Sequence, residues 1–230
     1  MDVIEVRALR KRYGRTWALR GLDLQVEEGR VLGLLGPNGS GKSTLLRILA
    51  GVGHPTSGEV RVLGQAPGRA TKARVAFVPE VEHIYRWMRV ADALKFQENF
   101  FADFQPARAR ELLEFMGLDQ ASPVSSLSKG QRARLKLVLA LGRDARLVLL
   151  DEPFSGIDPP SRERVLQGLL MAYREDRTMV ISTHLVGEAE KLFDRVVFLS
   201  RGEIFLAGEA EELRQRHGKS IEQIFREEYR

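Results

Sequence analysis

The sequence predicts an α/β protein with a parallel-sheet core, an N-terminal antiparallel β part and an inserted helical subdomain. Segments 147–150, 178–182 and 195–199 are apolar on both faces, as central parallel strands covered by helices are. Between residues 81 and 145 the apolar spacing is helical instead. A glycine-rich loop at 36–44 lies between an apolar run and an amphipathic helical pattern, which predicts a strand–loop–helix unit.

The order of these elements predicts the domain organisation. Segments 4–9 and 22–26 alternate like half-buried strands around a turn-rich stretch with Gly14 and Gly21. Further strands are expected at 59–64, 75–79 and 204–207, and helices at 90–101, 105–116 and 129–141. The chain finishes in two short charged helices, the second with a capping box from Ser220 to Gln223. We therefore predict one domain, with a core at 1–80 and 146–208, a helical subdomain at 81–145 and C-terminal helices at 209–230.

The composition excludes several classes of protein. The 230 residues contain no cysteine, which excludes disulfides and thiolate metal sites. No signal peptide is expected at the N-terminus, and no apolar run approaches the roughly 20 residues that span a bilayer. The net charge is +5, but basic and acidic residues alternate along most segments. Such alternation is typical of a solvated surface and predicts no specific nucleic-acid partner.

The glycine-rich loop has the residues of a polyphosphate-binding site. It matches the pattern G-x-x-x-x-G-K-[ST] through Gly36, Pro37, Asn38, Gly39, Ser40, Gly41, Lys42, Ser43 and Thr44. Glycines let backbone N–H groups turn inward around phosphate oxygens, assisted by the positive end of the next helix. Lys42 would place its charge on the β- and γ-phosphates, and Ser43 would offer its hydroxyl to Mg²⁺. The flanking strand and helix disfavour the alternative of an ordinary glycine turn.

Polar residues at the ends of two later strands extend this site. Asp151 would hold Mg²⁺ through water, opposite Ser43. Glu152 would then lie near the γ-phosphate, where it would polarise an attacking water as general base. His184 follows the next strand and would contact the γ-phosphate or hold the water, although a lone histidine is more often structural. The residues therefore predict a site for phosphoryl transfer to water.

The segment Leu127-Ser128-Lys129-Gly130-Gln131 adds a second anion site. Ser128 is placed to cap the helix at 129–141, and a serine and a glycine at a helix start direct N–H groups and the helix dipole outward. With the glycine-rich loop, the paired carboxylates, the histidine and the turn Ser155-Gly156-Ile157-Asp158, this segment makes the chain resemble the ATP-binding subunit of an ABC transporter over essentially its whole length. The resemblance implies a P-loop NTPase fold of the ABC ATPase kind, with ATP and Mg²⁺ as cofactors.

The resemblance also implies how two chains cooperate. Two such subunits, identical or related, dimerise head to tail and trap two ATP molecules. The signature segment, residues 127–131, and the D-loop, residues 155–158, would act on the ATP held by the partner, through Ser128, Lys129, Gly130, Gln131 and Asp158. Tyr13 would stack on adenine, with Trp17 as the substitute and a plain surface aromatic as the alternative.

Three segments depart from the family pattern. Lys129 replaces a glycine in the signature segment, and the D-loop has Gly-Ile where Ala-Leu is usual. At the Q-loop position, normally a glutamine after a strand ending in proline, the chain has Glu80. A glutamate still offers oxygen to Mg²⁺, so Glu80 stays a predicted metal ligand beside Ser43 and Asp151, while its charge departs from the neutral glutamine of the family's switch.

The resemblance further predicts a role in transport. It implies an ATP hydrolase that powers separate integral-membrane permease subunits from the cytoplasmic face of the cell membrane. The C-terminal segment resembles subunits of bacterial exporters, so export is favoured over import. The alternative is a soluble ABC ATPase that acts on a ribosome, DNA or assembly machinery. A non-hydrolytic regulatory module is disfavoured by intact Glu152 and His184.

A permease contact is predicted at residues 82–89. This segment follows the Q-loop position, where the family receives a short cytoplasmic helix of the permease. Tyr85, Trp87 and Met88 lie amid charges there, as interface anchors do. The alternative is that Tyr85 and Trp87 pack the helical subdomain onto the sheet.

Overall fold

Two sheets form the framework of the computed structural model, which describes residues 2–229. The strands are β1 Asp2–Tyr13, β2 Thr16–Glu27, β3 Val31–Leu35, β4 Ser57–Val62, β5 Val75–Val78, β6 Leu147–Asp151, β7 Thr178–Thr183, β8 Arg195–Ser200 and β9 Glu203–Glu209. The first sheet has the order β2-β1-β4, and the second has the order β5-β6-β7-β3-β8-β9. The fold is therefore the predicted α/β type with an antiparallel N-terminal part.

The helices lie around these sheets and in an insertion between β5 and β6. They are α1 Lys42–Leu49, α2 Arg69–Lys72, α3 Val90–Phe100, α4 Pro106–Phe115, α5 Lys129–Leu141, α6 Pro159–Ala172, α7 Val186–Ala189, α8 Ala210–His217 and α9 Ile221–Glu228. None of the helices within residues 2–229 has the length and apolar character needed to cross a membrane.

The second sheet brings the functional strands together. Its strands β5, β6, β7, β3 and β8 run parallel, and β9 pairs antiparallel with β8 at the edge. Strands β3, β6 and β7 are buried along their whole length, because one face packs in a cluster with helices and the other in a cluster with α1 and the N-terminal sheet. Their carboxyl ends meet at one edge, with Leu35 paired to Thr183 and Asp151 paired to Ser182. The phosphate-binding loop, Asp151 and His184 therefore lie at the carboxyl ends of neighbouring strands.

The N-terminal hairpin is longer than the sequence predicts. Strands β1 and β2 turn at Gly14, which has a φ of +56°, whereas Gly21 lies inside β2 with a φ of +105°. The placement of Gly21 in the turn is thus wrong. The pairing shifts register at several points, one of them beside Ala8, which has a φ of +45°. These bulges interrupt the alternation of buried and exposed residues. The alternation therefore does not predict the outer half of the hairpin.

The predicted helices of the insertion are confirmed to within a residue or two. Helix α5 has the predicted bounds, and Ser128 caps it as expected. The capping box from Ser220 to Gln223 at the start of α9 is also confirmed. Helix α6 was not predicted, although Asp158 caps it and prolines occupy its first turn. The four-residue helices α2 and α7 are too short to produce a periodic signal.

Arg143 joins the helical subdomain to the core. This buried side chain donates to the carbonyl of Val75 at 2.8 Å and makes two hydrogen bonds with the Asp103 carboxylate. The guanidinium also lies 3.8 Å from the ring centroid of Phe101. A buried arginine needs several acceptors to offset its lost hydration, and these contacts provide them from both parts of the molecule.

Candidate active site

Close backbone contacts define the phosphate-binding loop between β3 and α1. A Cβ at Gly36 would collide with the carbonyl oxygen of Leu199. Gly41 has a φ of +113°, and a Cβ there would lie 2.7 Å from the carbonyl oxygen of Ala18. Only glycine satisfies both the backbone conformation and the space at Gly41. Nothing lies within 4 Å of a Cβ built on Gly39, so the loop keeps an open side for phosphate oxygens.

Lys42 is held at the base of this loop. Its side chain is 4% exposed, and its ammonium donates to the carbonyls of Gly36 at 2.7 Å and Pro37 at 3.1 Å. The same nitrogen forms an ion pair with Oε1 of Glu152 at 3.0 Å. The structure therefore places the predicted phosphate-binding lysine in direct contact with the predicted general base.

Asp151 and Ser43 provide the oxygen atoms that Mg²⁺ prefers. Ser43 Oγ donates to Oδ1 of Asp151 at 3.0 Å, and Ser182 Oγ donates to the same oxygen at 2.8 Å. A carboxylate and a hydroxyl at this distance fit a hard divalent cation. Ser182 was not predicted, although it stands opposite Asp151 in the register of β6 and β7. That register is not encoded in either segment alone.

Glu152 has a strained backbone and a fixed side chain. Its φ is +50°, which is uncommon for a residue with a Cβ. The Glu152 N–H donates to the carbonyl and the hydroxyl of Ser182, both at 3.1 Å. Oε2 lies 2.9 Å from Nδ1 of His184, whose own backbone N–H also points to it at 3.3 Å. The carboxylate is thus oriented from both sides, by Lys42 and by His184.

The signature segment packs against the D-loop of the same chain. Ser128 Oγ accepts from the Gln131 N–H at 3.1 Å, and the Ser128 N–H donates to Oε1 of Gln131 at 2.8 Å. Gly130 is buried, and a Cβ there would collide with Oγ of Ser161. The ammonium of Lys129 lies over Gly156, where a Cβ would meet it. Two of the residues that depart from the family pattern, Lys129 and Gly156, therefore face each other.

Asp158 caps helix α6. Its Oδ2 accepts from the Ser161 N–H at 3.1 Å, and its Oδ1 accepts from the Ser161 hydroxyl at 2.8 Å. These hydrogen bonds lower the pKa of the Asp158 carboxyl below its usual value. Both carboxylate oxygens thus have partners within the chain, and they fix where the D-loop ends.

A cavity of about 440 Å³ adjoins Asp151 and Glu152. Glu80 lines it from the Q-loop, here residues 79–82, and its side chain is exposed to this space. Lys129 and Lys136 line the cavity from α5. Glu80 therefore lies on the same cavity as the predicted metal and base residues, although at its open side.

Tyr13 and Trp17 lie at the end of the N-terminal hairpin. Tyr13 is 51% exposed, and the Lys11 ammonium lies 4.9 Å from its ring centroid. Trp17 is half-buried and precedes Ala18, whose carbonyl approaches Gly41. Both aromatic rings are therefore carried by the hairpin that packs on the phosphate-binding loop.

Residues 82–89 divide into exposed and buried side chains. Tyr85 and Trp87 are 55% and 76% exposed, but Met88 is 5% exposed and belongs to the hydrophobic core. The expectation that Met88 is a surface anchor is therefore wrong, because its side chain points inward from the turn before α3. Phe96 and Phe100, which were not predicted, are 37% and 68% exposed.

These four exposed rings, Tyr85, Trp87, Phe96 and Phe100, form one aromatic patch. Tyr85 and Trp87 stack at 5.8 Å between centroids, and Phe96 meets Tyr85 edge-on at 6.4 Å. Phe96 and Phe100 stack at 4.4 Å, one turn apart on α3. The spacing of Phe96 and Phe100 in the sequence was the available signal.

The chain is similar to known ATP-binding proteins of ABC transporters. The ABC transporter family matches residues 19–155. The Nod factor export ATP-binding protein I of Ralstonia nicotianae is 35% identical over 221 residues, 92% of this chain and 68% of that protein. The uncharacterized ABC transporter ATP-binding protein YxlF of Bacillus subtilis is 32% identical over 224 residues, 95% of this chain and 75% of that protein. A relative from Nostoc is 37% identical, and the chain spans 61% of its length.

Solved structures show the same architecture. A structure of the ATP binding subunit of an ABC transporter has a TM-score of 0.87 and 25% identity, and the match covers 99% of this chain and 100% of that one. A dimeric cassette in a post-hydrolysis state bound to ADP and Pi has a TM-score of 0.80 at 24% identity, with 90% and 98% covered. The fold is that of an ABC ATP-binding cassette. The chain belongs to the ABC transporter family, as an ATP-binding domain.

Proposed function

We propose that this chain hydrolyses ATP as a head-to-tail dimer and powers export through separate membrane subunits. The observation that carries the proposal is the contact of Glu152 with both Lys42 and His184, at 3.0 Å and 2.9 Å. A base between a phosphate-binding cation and an orienting histidine suits attack by water at the γ-phosphate.

Lys42 and Glu152 would act in sequence. When the β- and γ-phosphates enter the loop, the Lys42 ammonium exchanges its contact with Glu152 for phosphate oxygens, which are also anionic acceptors. Glu152 is then free to accept a proton from water while the water oxygen bonds to the γ-phosphorus and the bond to the β-phosphate oxygen breaks. His184 holds the carboxylate through Nδ1, so the base keeps its orientation after Lys42 leaves it.

Asp151 and Ser43 would hold the metal. Mg²⁺ bound between them would neutralise charge on the phosphate oxygens during transfer. Ser182 orients Asp151 by donating to Oδ1, which leaves the carboxylate in one defined position. Glu80 would contribute a further oxygen from the Q-loop side of the cavity.

Dimerisation would complete each site with the signature segment of the second chain. Helix α5 has 13 residues and starts at the capped Ser128, so its N-terminal N–H groups and dipole provide an anion site. Gly130 and Lys129 fix this helix start against their own D-loop, which leaves the signature segment and the D-loop to approach a partner together. The dimeric solved structure of similar fold supports dimerisation.

The aromatic patch would receive the permease at the cytoplasmic face of the membrane. Beside α3, a groove of about 270 Å³ is lined by Phe77, His83, Gln97 and Phe101, among others. Exposed aromatic rings next to an apolar groove suit a short amphipathic helix that inserts its apolar face. Export is favoured because several similar proteins carry the name Nod factor export ATP-binding protein.

The variant Glu152→Gln tests the proposal. We expect loss of ATP hydrolysis with ATP binding retained, so that the protein elutes as a dimer from a size-exclusion column in the presence of ATP and Mg²⁺. The matched control is Glu203→Gln, an exposed glutamate on β9, which should hydrolyse like the wild type. Hydrolysis by Glu152→Gln at the wild-type rate would show that Glu152 is not the base.

A further inference from the structure

Lys136 is a buried lysine with no place in the proposed hydrolysis steps. It lies two turns into α5 and is 7% exposed. Its ammonium contacts the carbonyl oxygens of three consecutive residues in the Q-loop, namely Pro79 at 2.9 Å, Glu80 at 2.9 Å and Val81 at 3.4 Å. The helix that begins with the signature segment is thus bound to the backbone of the Q-loop.

The chemistry of this contact requires a charged lysine. Three carbonyl acceptors use all three N–H donors of an ammonium group. Burial lowers the pKa of Lys136, while the carboxylates of Glu82, Glu80 and Asp151 act in the opposite direction. A second link reinforces the first, since Arg132 of α5 forms an ion pair with Glu82 at 3.3 Å. The Q-loop is therefore attached to α5 at both ends.

Lys136 also lies between the two functional cavities. It lines the cavity beside Asp151 and Glu152. It also lines the groove beside α3 with His83 and Phe101, which we call the docking groove. Within residues 2–229, Lys136 is the one side chain that lines both of these cavities. Lys136 is therefore in contact with the residues that line each of the two cavities.

We propose that Lys136 is a positioning residue that transmits the state of the docking groove to Glu80 and the hydrolytic cavity. This inference rests on the proposed function, because it needs a partner in the groove and a hydrolytic site. When the helical subdomain moves, α5 carries the ammonium of Lys136 with it. Because that ammonium holds three successive carbonyls, the Q-loop backbone follows, and the Glu80 side chain moves relative to Asp151. The physical basis is that one helix, α5, contacts both the docking groove and the Q-loop beside the hydrolytic cavity.

The variant Lys136→Met tests the contact in the isolated protein. Methionine keeps the length and apolar stem of the side chain but has no N–H donors. We expect kcat for ATP hydrolysis to fall about tenfold, equivalent to about 1.4 kcal/mol, with the KM for ATP changed by less than about twofold. The loop around Lys42 is untouched, so binding persists while the cavity is misaligned. Lys95→Met, at an exposed position on α3, is the matched control and should show neither change.

The fluorescence of Trp87 provides a second measurement. Trp17→Phe leaves Trp87 as the one tryptophan of the chain, on the segment that follows the Q-loop. We expect ATP and Mg²⁺ to change the Trp87 emission in this background, and Lys136→Met to reduce that change by at least half at saturating ATP. No emission change in the background protein, or an equal change in both proteins, would overturn the inference.

Further results separate this inference from a purely structural role and from the proposed function. Thermal unfolding shows how much Lys136→Met protein is folded during the assay. A fall in kcat that only matches the unfolded fraction would make Lys136 structural and overturn the inference. Hydrolysis by Glu152→Gln at the wild-type rate would instead defeat the proposed function. If Glu152→Gln is inactive and Lys136→Met hydrolyses like the wild type, the inference about Lys136 alone fails.

Discussion

The phosphate-binding loop and the aromatic patch differ in what fixes their residues. In the loop, Gly36 and Gly41 touch carbonyl oxygens so closely that a Cβ would not fit, and Lys42 is 4% exposed between its partners. In the patch, Tyr85 and Trp87 are more than half exposed and stack on one another. The loop is determined by the fold itself, whereas the patch has the exposure expected of the proposed interface.

This difference has energetic consequences. A residue fixed by its own chain affects nucleotide binding or stability when it is changed, because the buried contacts are lost at once. Under the proposed function, a substitution in the patch weakens an interface and leaves the free protein largely unaltered. Met88 sits next to Trp87 in sequence but belongs to the first kind. The following variants test this division.

The largest effect on ATP binding is expected for Lys42→Ala. This change removes a charged donor from the phosphates, and hydrogen bonds to charged groups are worth about 1.5–3 kcal/mol. We expect ATP affinity to fall at least about tenfold, measured by titration with a fluorescent nucleotide. Arg86→Ala, which removes an exposed cation near the patch, should leave ATP affinity unchanged. Wild-type affinity in Lys42→Ala would contradict the assignment of the loop.

The next prediction compares two residues that are neighbours in the sequence, Met88 and Trp87. Met88→Ala should lower the free energy of unfolding by about 2–5 kcal/mol, because it leaves a cavity among buried residues. Trp87→Ala should leave stability nearly unchanged and abolish co-purification of the membrane partner. Chemical denaturation and affinity purification of the same two variants provide both measurements. A large stability loss in Trp87→Ala with the partner retained would assign Trp87 to the packing of the subdomain.

The sequence predicts the parts of the site that are local. The loop, the strand that ends at Asp151 and the cap at Ser128 each depend on residues within a few positions, so their patterns are visible in the chain. The structure confirms these elements and their order along the core.

The parts that were missed depend on contacts between distant segments. Ser182 reaches Asp151 across neighbouring strands, and Lys136 reaches the Q-loop from another subdomain. No local pattern specifies strand register or subdomain packing, since both arise from the tertiary fold. Met88 was misassigned for the same reason, because its burial depends on how the turn before α3 faces the core.

A smaller effect is expected for the adenine contact. Tyr13→Ala should weaken ATP binding by about 1–3 kcal/mol, the value of one aromatic stack on a base. Trp17→Ala is the direct comparison, because both rings lie at the end of the same hairpin. Titration with ATP and with inorganic triphosphate separates the base from the phosphates, since the triphosphate should bind both variants like the wild type. If Trp17→Ala alone weakens ATP binding, then Trp17 is the stacking residue.

The smallest effect is expected for Glu80→Gln, at a position that lies between the two regions in the sequence. The backbone of Glu80 is bound to Lys136, and its exposed carboxylate lines the cavity with Asp151. Solvent screens such a charge, so its attraction for Mg²⁺ is worth about 0.2–1 kcal/mol. The Mg²⁺ concentration for half-maximal hydrolysis should therefore rise about 1.5- to 5-fold, with ATP affinity in EDTA unchanged. Glu98→Gln on α3 is the control. An unchanged Mg²⁺ dependence in Glu80→Gln would leave the metal to Ser43 and Asp151.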